Sequence, residues 1–286
     1  MTTPSAPATP TGPTPPADPT RPTPPAGPTR PTPPGAPRVR QSAARAVLRT
    51  EARLFTREPG SLFWVMASPT VLLAIIGLIP AFQEPSPELG GRRVIDLYVP
   101  VSVLFALIMA GLQAMPPVLA GYRERGILRR MSTTPVRPAA LLTAQITLHA
   151  AAALVSSLLV LAVGRLAFGV APPRNAAGYA LALLLATAVG LALGAAVCAV
   201  SRTQKIATAV GSAVFFPTMF TAGVWVPVQA MPATLREVVG FSPYGAASDA
   251  LDAAAAGAWP GWEPLGVMLL WTVVLTAAAV RWFRWE

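Results

Sequence analysis

The chain has 286 residues, of which 53% are hydrophobic and only 12% are charged, and its formal net charge is +10 at pH 7. Soluble domains carry about twice that charged fraction, and apolar runs of about 20 residues recur along the sequence, so the composition predicts a multi-pass helical membrane protein. With one cysteine and one histidine, an intrachain disulfide is excluded and a metal site built from several such side chains is not expected.

The amino-terminal segment, residues 1–38, is rich in proline and contains a tandem repeat, in which PTRPTPPAG is followed directly by PTRPTPPGA. A segment with so few large apolar side chains cannot bury a core, so we expect a disordered cytoplasmic tail with polyproline II character. It also lacks the apolar region of a signal peptide. The alternative is that the repeats dock a partner.

The next segment, residues 39–60, is predicted to be an amphipathic helix. It carries a stripe of arginines at every fourth residue, namely Arg45, Arg49, Arg53 and Arg57. Apolar residues supply the other side, so we expect the helix to lie on an anionic membrane surface. A solvated basic helix is the alternative.

Residues 61–286 are predicted to form an all-α transmembrane domain of six spans. The apolar runs place these at Leu62–Phe82, Leu97–Ala120, Ala139–Leu166, Ala176–Val200, Ile206–Val226 and Pro264–Trp282. Most arginines fall in the tail and in loops on the same side of this arrangement, so the positive-inside rule predicts cytoplasmic termini. This topology explains the positive charge without a nucleic-acid partner. The bias towards arginine, alanine and proline indicates a GC-rich bacterial genome, and hence a bacterial plasma membrane.

Motifs for chemistry are missing. No Gly-rich phosphate loop precedes the only lysine, Lys205, and no Gly-x-Ser-x-Gly turn occurs, so we expect that the chain is not an enzyme and does not hydrolyse ATP itself. No ionisable residue stands near the centre of a span, the nearest being His149, which argues against a proton- or sodium-coupled pump. We expect a neutral His149 hydrogen-bonded to a neighbouring helix, with a substrate contact as the alternative.

Two further stretches stand out. The sequence GLALG contains Gly190 and Gly194 four residues apart, which favours close helix packing, either within the chain or at a dimer seam. Residues 227–252, after span five, combine proline breaks with amphipathic spacing, and we expect an outer re-entrant segment. Asp249 and Asp252 in it would form the rim of a pathway or, alternatively, be solvated loop charges.

Two motifs stand out in the loops. The first, YRERGILRRMSTTPVRPAALLTAQ, contains Glu124, Gly126, Leu128, Arg130, Met131, Thr134 and Pro135. The second, FTAGVWVPVQAMPATLREVVGFSPYGAASDAL, contains Gly223, Pro227, Met231, Pro232, Pro243, Tyr244, Asp249 and Leu251. At these residues the motifs resemble those of ABC-2 type permeases, the membrane subunits of ATP-binding-cassette exporters. The resemblance covers about residues 40–286, and it is greatest to the daunorubicin-type drug-resistance permeases of actinobacteria.

The resemblance implies a permease that pairs with a second copy or a paralogue, lies in the lipid bilayer and docks two copies of a cytoplasmic ATPase. The chain itself would bind no cofactor, since ATP and Mg²⁺ belong to that ATPase. Loop 121–138 would hold a coupling helix, with Tyr122, Arg123, Glu124, Arg125, Gly126, Leu128, Arg129, Arg130, Thr134 and Pro135 at the contact. Positive-inside placement alone is the alternative explanation of its arginines.

By the same resemblance, spans two and five would line the substrate path. The candidate lining residues are Met109, Gln113, Phe216, Met219 and Phe220, whose polarisable or aromatic side chains suit an amphipathic, drug-like cargo. Core packing is the alternative for each of them. A permease for lipids or glycans, a secondary transporter outside the ABC class and a membrane scaffold remain alternative functions.

Overall fold

The computed structural model describes residues 36–57, 60, 63–132 and 138–282, with side chains from Arg45 onward except at residues 88, 132 and 138. The helices are α1 (Ala36–Thr56), α2 (Ser68–Gly77), α3 (Val94–Ile108), α4 (Met115–Glu124), α5 (Ile127–Ser132), α6 (Pro138–Phe168), α7 (Ala176–Val200), α8 (Gln204–Thr221), α9 (Ala233–Gly240), α10 (Pro243–Ala256) and α11 (Trp262–Trp282). No strand occurs in this part of the chain, which agrees with an all-α membrane fold. The proline-rich repeats lie outside the described residues.

Helix α1 covers most of the segment predicted to be amphipathic, and it ends at Thr56. Arg45, Arg49 and Arg53 are exposed, whereas Val47 and Phe55 are half-buried. The helix therefore has one basic face and one face packed on the protein. Its placement on a membrane surface stays a prediction.

Four helices in the described ranges are long and apolar enough to cross a membrane: Val94–Glu124, Ala139–Phe168, Ala176–Val200 and Trp262–Trp282. They correspond to the predicted spans two, three, four and six. The first is central, because 83% of its most apolar stretch is buried, against 17% for the last. The chain is thus a multi-pass membrane protein, and the count of six spans remains a prediction.

Predicted spans one and five are shorter in the structure than in the sequence prediction. The first apolar helix covers Phe63–Gly77, with a π-helical turn before Pro69, and a separate 3₁₀ turn follows at Pro80–Phe82. Helix α8 ends at Thr221, because Gly223 adopts a left-handed φ of 84° that breaks the helix. Proline and glycine thus end both helices before the apolar sequence ends.

The second span contains a π-helical stretch, Met109–Ala114, between α3 and α4. Pro116 and Pro117 follow it and have no N–H to bond to the carbonyls one turn earlier. Gly211 of α8 approaches the Leu112 carbonyl, so that a Cβ there would lie 2.8 Å from this oxygen. The prolines therefore reshape the helix where its neighbour comes closest.

The GLALG motif packs inside the chain. Gly194 lies against the Gly111 carbonyl of the second span, and Gly190 lies beneath the Tyr244 hydroxyl of α10. In both places a Cβ would overlap the facing atom. The motif therefore serves intramolecular packing, the first of the two sequence alternatives.

Candidate functional site

The predicted coupling loop consists of the end of the second span and one short helix. Helix α4 continues to Glu124, Gly126 turns the chain with a φ of 66°, and α5 follows at Ile127–Ser132. A left-handed conformation is strained for residues with a side chain, so glycine suits this turn. Thr134 and Pro135 fall outside the described residues.

Tyr122 joins this segment to two other helices through one carboxylate. Its hydroxyl donates to Glu51 Oε2 of α1 at 2.7 Å, and Gln145 Nε2 of α6 donates to the same oxygen at 2.6 Å. Glu51 is only 7% exposed. A buried carboxylate needs such donors, since desolvation without them is costly. The guanidinium of Arg125 lies 5.6 Å from the centre of the Tyr122 ring.

Arg123 and Glu124 bind two helix ends that meet at the turn between α7 and α8. Arg123 Nη1 donates to the Ser201 carbonyl at 2.8 Å and to the Cys198 carbonyl at 3.3 Å. The Glu124 carboxylate accepts the Gln204 backbone N–H at 2.9 Å. A cation thus stands at a helix carboxyl end and an anion at a helix amino end, which is the favourable arrangement for both helix dipoles.

The remaining residues of the segment divide by exposure. Leu128 is buried and fixes α5 against the protein, whereas Arg125, Arg129 and Arg130 are exposed. The structure therefore separates the predicted coupling residues into an inward group and an outward group. The hydrogen bonds of Tyr122, Arg123 and Glu124 and the burial of Leu128 define the inward group. The three exposed arginines form what we call the outer basic face.

His149 lies in the same region, fully buried in α6. Its Nδ1 lies 2.9 Å from the Gln145 carbonyl of its own helix, and its ring packs edge-on against Phe55 of α1 at 5.3 Å. Because a carbonyl only accepts, Nδ1 carries the proton. The expected hydrogen bond to a neighbouring helix is therefore replaced by one within α6, and the interhelical contact is aromatic.

A groove of about 640 Å³ runs between the second span, α8 and the π-helical turn before α2. Met109, Gln113, Phe216 and Met219, predicted as pathway residues, line it together. Phe220 is not among its lining residues. The sequence prediction also missed four aromatic residues that line the groove, namely Trp64, Phe105, Phe215 and Trp225.

One residue connects the groove to the coupling segment. Gln204 lines the groove, and its backbone N–H is the group that the Glu124 carboxylate binds. No side chain with a formal charge occurs among the described residues that line the groove. The lining of the groove is therefore apolar and aromatic, and Gln113 and Gln204 supply its side-chain amides.

The family assignment follows from comparison with known sequences. The profile of the ABC-2 type transporter family matches residues 42–255, which is more than half of the chain. The chain belongs to the ABC-2 type transporter family. A sequence comparison with curated proteins returned no match.

The segment of this ABC-2 protein that is predicted to be outer and re-entrant is mostly helical. Residues 227–252 contain a 3₁₀ turn at Val228–Ala230, all of α9 and most of α10. Asp252 lies in α10 and pairs with Arg92, whose two terminal nitrogens donate at 2.6 and 3.1 Å. The hydrogen bond to Asp252 raises the pKa of Arg92 above its usual value. Asp252 is therefore a structural anchor in the ABC-2 domain, not a solvated loop charge.

Asp249 lies one turn before Asp252, and it is half-buried. Burial raises the pKa of the Asp249 carboxyl; Arg236 opposes this rise, and the acidic Asp252 and Glu263 add to it. Asp249 lines a polar cavity of about 400 Å³ beside Arg236, Glu237 and Glu263. The rim interpretation suits Asp249 better than it suits Asp252.

Glu51 is the residue that sequence reasoning missed in the ABC-2 domain. It lies in the segment predicted to be an amphipathic helix, four residues from both Val47 and Phe55, on the apolar side. A carboxylate on an apolar face needs a buried partner. That position was the signal, although the sequence did not name Tyr122 and Gln145 as the partners.

Proposed function

We propose that this protein is the membrane-spanning permease subunit of an ATP-binding-cassette exporter. It moves a hydrophobic or amphipathic, drug-like substrate out of the cytoplasm, and a separate ATPase subunit supplies the energy. The observation that carries this proposal is the Glu124 hydrogen bond to Gln204 at 2.9 Å, because it links the coupling segment directly to the groove.

The outer basic face supports docking of the ATPase. Arg125, Arg129 and Arg130 are exposed on a turn and a short helix that Leu128 holds against the protein. Arginine suits contact with acidic side chains because its guanidinium makes paired hydrogen bonds. A helix packed against the protein transmits a displacement to it, whereas a flexible loop does not. ATP and Mg²⁺ stay on the partner ATPase.

The inward group would transmit the motion. When the ATPase moves α5, Arg123 would displace the end of α7 through its hydrogen bond to Ser201. Glu124 would displace the start of α8 through its hydrogen bond to Gln204. Helix α8 carries the groove residues Phe216 and Met219. ATP binding would thus favour one of two groove conformations, and the differential affinity of ATP for them supplies the work.

The complete transporter would contain two permease copies and two ATPase copies in a bacterial plasma membrane, with cytoplasmic termini. Phe216 and Trp225 are each more than half exposed at the groove, and a second copy of this chain would complete the path there. A homodimer and a pair with a paralogue both fit this arrangement.

The groove chemistry favours an apolar cargo over a glycan. Its side-chain amides are Gln113 and Gln204, whereas a sugar polymer presents many hydroxyls that need partners. Its aromatic residues would stack on planar apolar groups as well as on sugars. A lipid cargo remains the alternative within the same mechanism.

The test uses the permease and its ATPase, taken from the same operon, in proteoliposomes with the lipophilic dye ethidium. We expect ATP-dependent dye transport that Glu124→Ala reduces at least about ten-fold, while ATP hydrolysis continues, since Glu124 couples the two sites. Lys205→Ala is the matched control at the same turn, and it should transport normally. Transport by Glu124→Ala at the wild-type rate would refute the link.

A further inference from the structure

A second cavity, of about 270 Å³, lies at the end of the helix bundle that carries α5. Its lining includes Leu142 and Ile146 of α6, Thr276 and Val280 of α11, Leu119 of α4 and Cys198 of α7. It is separate from the groove, since the two share no lining residue. The proposed transport path makes no use of it.

The ends of four membrane helices show how deep in the bilayer the cavity lies. Its lining residues lie within about two turns of the nearby ends of α4, α6, α7 and α11. Two turns correspond to about 11 Å along a helix axis. The cavity is therefore at the depth where lipid acyl chains begin, in the leaflet on the side of α5.

The cavity is open laterally, between α6 and α11. Helix α11 packs against α7 and α10, and Ile146 and Val280 are 40% and 75% exposed where α6 and α11 face each other. The polar side-chain groups of the lining are the Cys198 thiol and the Thr276 hydroxyl. A bound water needs two to four polar partners, so hydrocarbon fills this space better than water does.

A cation stands at the rim. A shallow depression continues along α11 from Thr276 and Val280 to Arg281, in the last turn of the helix. Arg281 is exposed. A guanidinium at the membrane surface binds a phosphate through paired hydrogen bonds. An apolar cleft below an arginine matches a lipid that has an apolar chain and an anionic headgroup.

We propose that this cleft binds one acyl chain of an anionic glycerophospholipid, with the headgroup phosphate on Arg281. The cavity also adjoins the contact between Arg123 and the end of α7, because Cys198 lines the cavity and its carbonyl accepts a hydrogen bond from Arg123. A bound acyl chain would hold the end of α7 in place at this contact. The lipid is thus a stabilising ligand, not the transported cargo.

The experiment uses the full chain in nanodiscs that contain trace phosphatidylglycerol with a diazirine in its acyl chain, and the matched phosphatidylcholine probe in parallel. Crosslinked peptides are identified by mass spectrometry. We expect crosslinks in 138–168 and 262–282, about five-fold more with the anionic probe, since one arginine near the surface contributes about 1 kcal/mol. Equal labelling by both probes would overturn the proposal.

Two variants and one control locate the site. Thr276→Phe fills the cleft and should abolish the excess of crosslinks with the anionic probe, whereas Val274→Phe, at a lipid-facing position of α11 outside the cleft, should leave this excess unchanged. Arg281→Gln should remove the preference for the anionic probe and keep the fold. Unchanged crosslinks in Thr276→Phe, or competition by ethidium, would assign the labelling elsewhere and overturn the proposal.

Discussion

The Tyr122 hydroxyl donates a hydrogen bond to the Glu51 carboxylate at 2.7 Å, and this bond joins α1 to the last turn of the second span. Gln145 of α6 donates to the same oxygen. Three elements that are distant in sequence therefore meet at one buried carboxylate, at the start of the coupling segment. The amphipathic helix is tied to the transmembrane domain by a specific contact as well as by its apolar face.

Removal of the Glu51 carboxylate tests this junction. Glu51→Ala leaves the Gln145 amide without its acceptor and should destabilise the protein by about 2 kcal/mol, because unpaired buried donors carry a desolvation cost. Glu51→Gln keeps an accepting oxygen and should recover about half of the loss. Thermal unfolding of the detergent-purified protein measures both. An Ala variant as stable as wild type would contradict the burial of this group.

The two groups of arginines should respond differently to substitution. Arg123→Ala removes the donor to the Cys198 and Ser201 carbonyls at the end of α7, and it should lower stability by about 1 to 2 kcal/mol. Arg129→Ala, on the exposed face of α5, should lower stability by less than Arg123→Ala does, because interactions of an exposed charged side chain contribute at most about 1 kcal/mol. Chemical or thermal unfolding compares the two.

The variants Arg123→Ala and Arg129→Ala also distinguish an effect on stability from an effect on ATPase docking. Arg129→Ala should reduce co-purification with the ATPase, since it lies on the outer basic face. If Arg129→Ala unfolds as readily as Arg123→Ala, the division into inward and outward groups is wrong.

Substitution of Gly194 tests whether the fourth and second spans pack closely at this position. A Cβ at this position overlaps the Gly111 carbonyl, so Gly194→Ala should cost about 1 to 3 kcal/mol through overpacking. Gly266→Ala in α11 is the matched control, since a Cβ there meets nothing within 4 Å. It should be neutral or stabilise by up to about 1 kcal/mol through helix propensity. Melting temperatures that fall equally in both variants would count against the packing.

Asp249 predicts a pH dependence of stability. Burial raises the pKa of its carboxyl above the unfolded value of 3.8, so the folded state binds this proton more tightly than the unfolded state does. The resulting stability is fully present below pH 3.8 and is lost as pH rises through the raised folded-state pKa. Above that value the ionised, half-buried carboxylate destabilises the fold.

The measurement compares Asp249→Asn with wild type from pH 4 upward. The Asn variant should lack this loss and should be the more stable protein at neutral pH. Asp252→Asn is the control, and it should instead lose stability because it weakens the Arg92 ion pair. A wild-type pH profile in Asp249→Asn would show that another group causes the dependence.

The sequence determined the class of the protein and the order of its elements. Periodic apolar runs placed the helices now seen at Ala176–Val200 and Trp262–Trp282 within two residues of their ends, because a membrane span needs a fixed length of apolar sequence. The motif from Glu124 to Pro135 resembles that of the ABC-2 family, to which the chain belongs. Glycine and proline marked the breaks, although the early ends of spans one and five depended on where the helices pack.

Only the tertiary structure decided which residues of the motif face inward. Arg123 and Arg129 look alike in sequence, yet one binds the end of α7 and the other is exposed. Met109 and Phe216 meet at one groove across more than a hundred residues of chain. Side-chain partners of this kind depend on helix rotation and on contacts between distant segments, which hydrophobic periodicity does not encode. Glu51 shows the limit most clearly, since it stands on the apolar face of its helix but its partners come from two other helices.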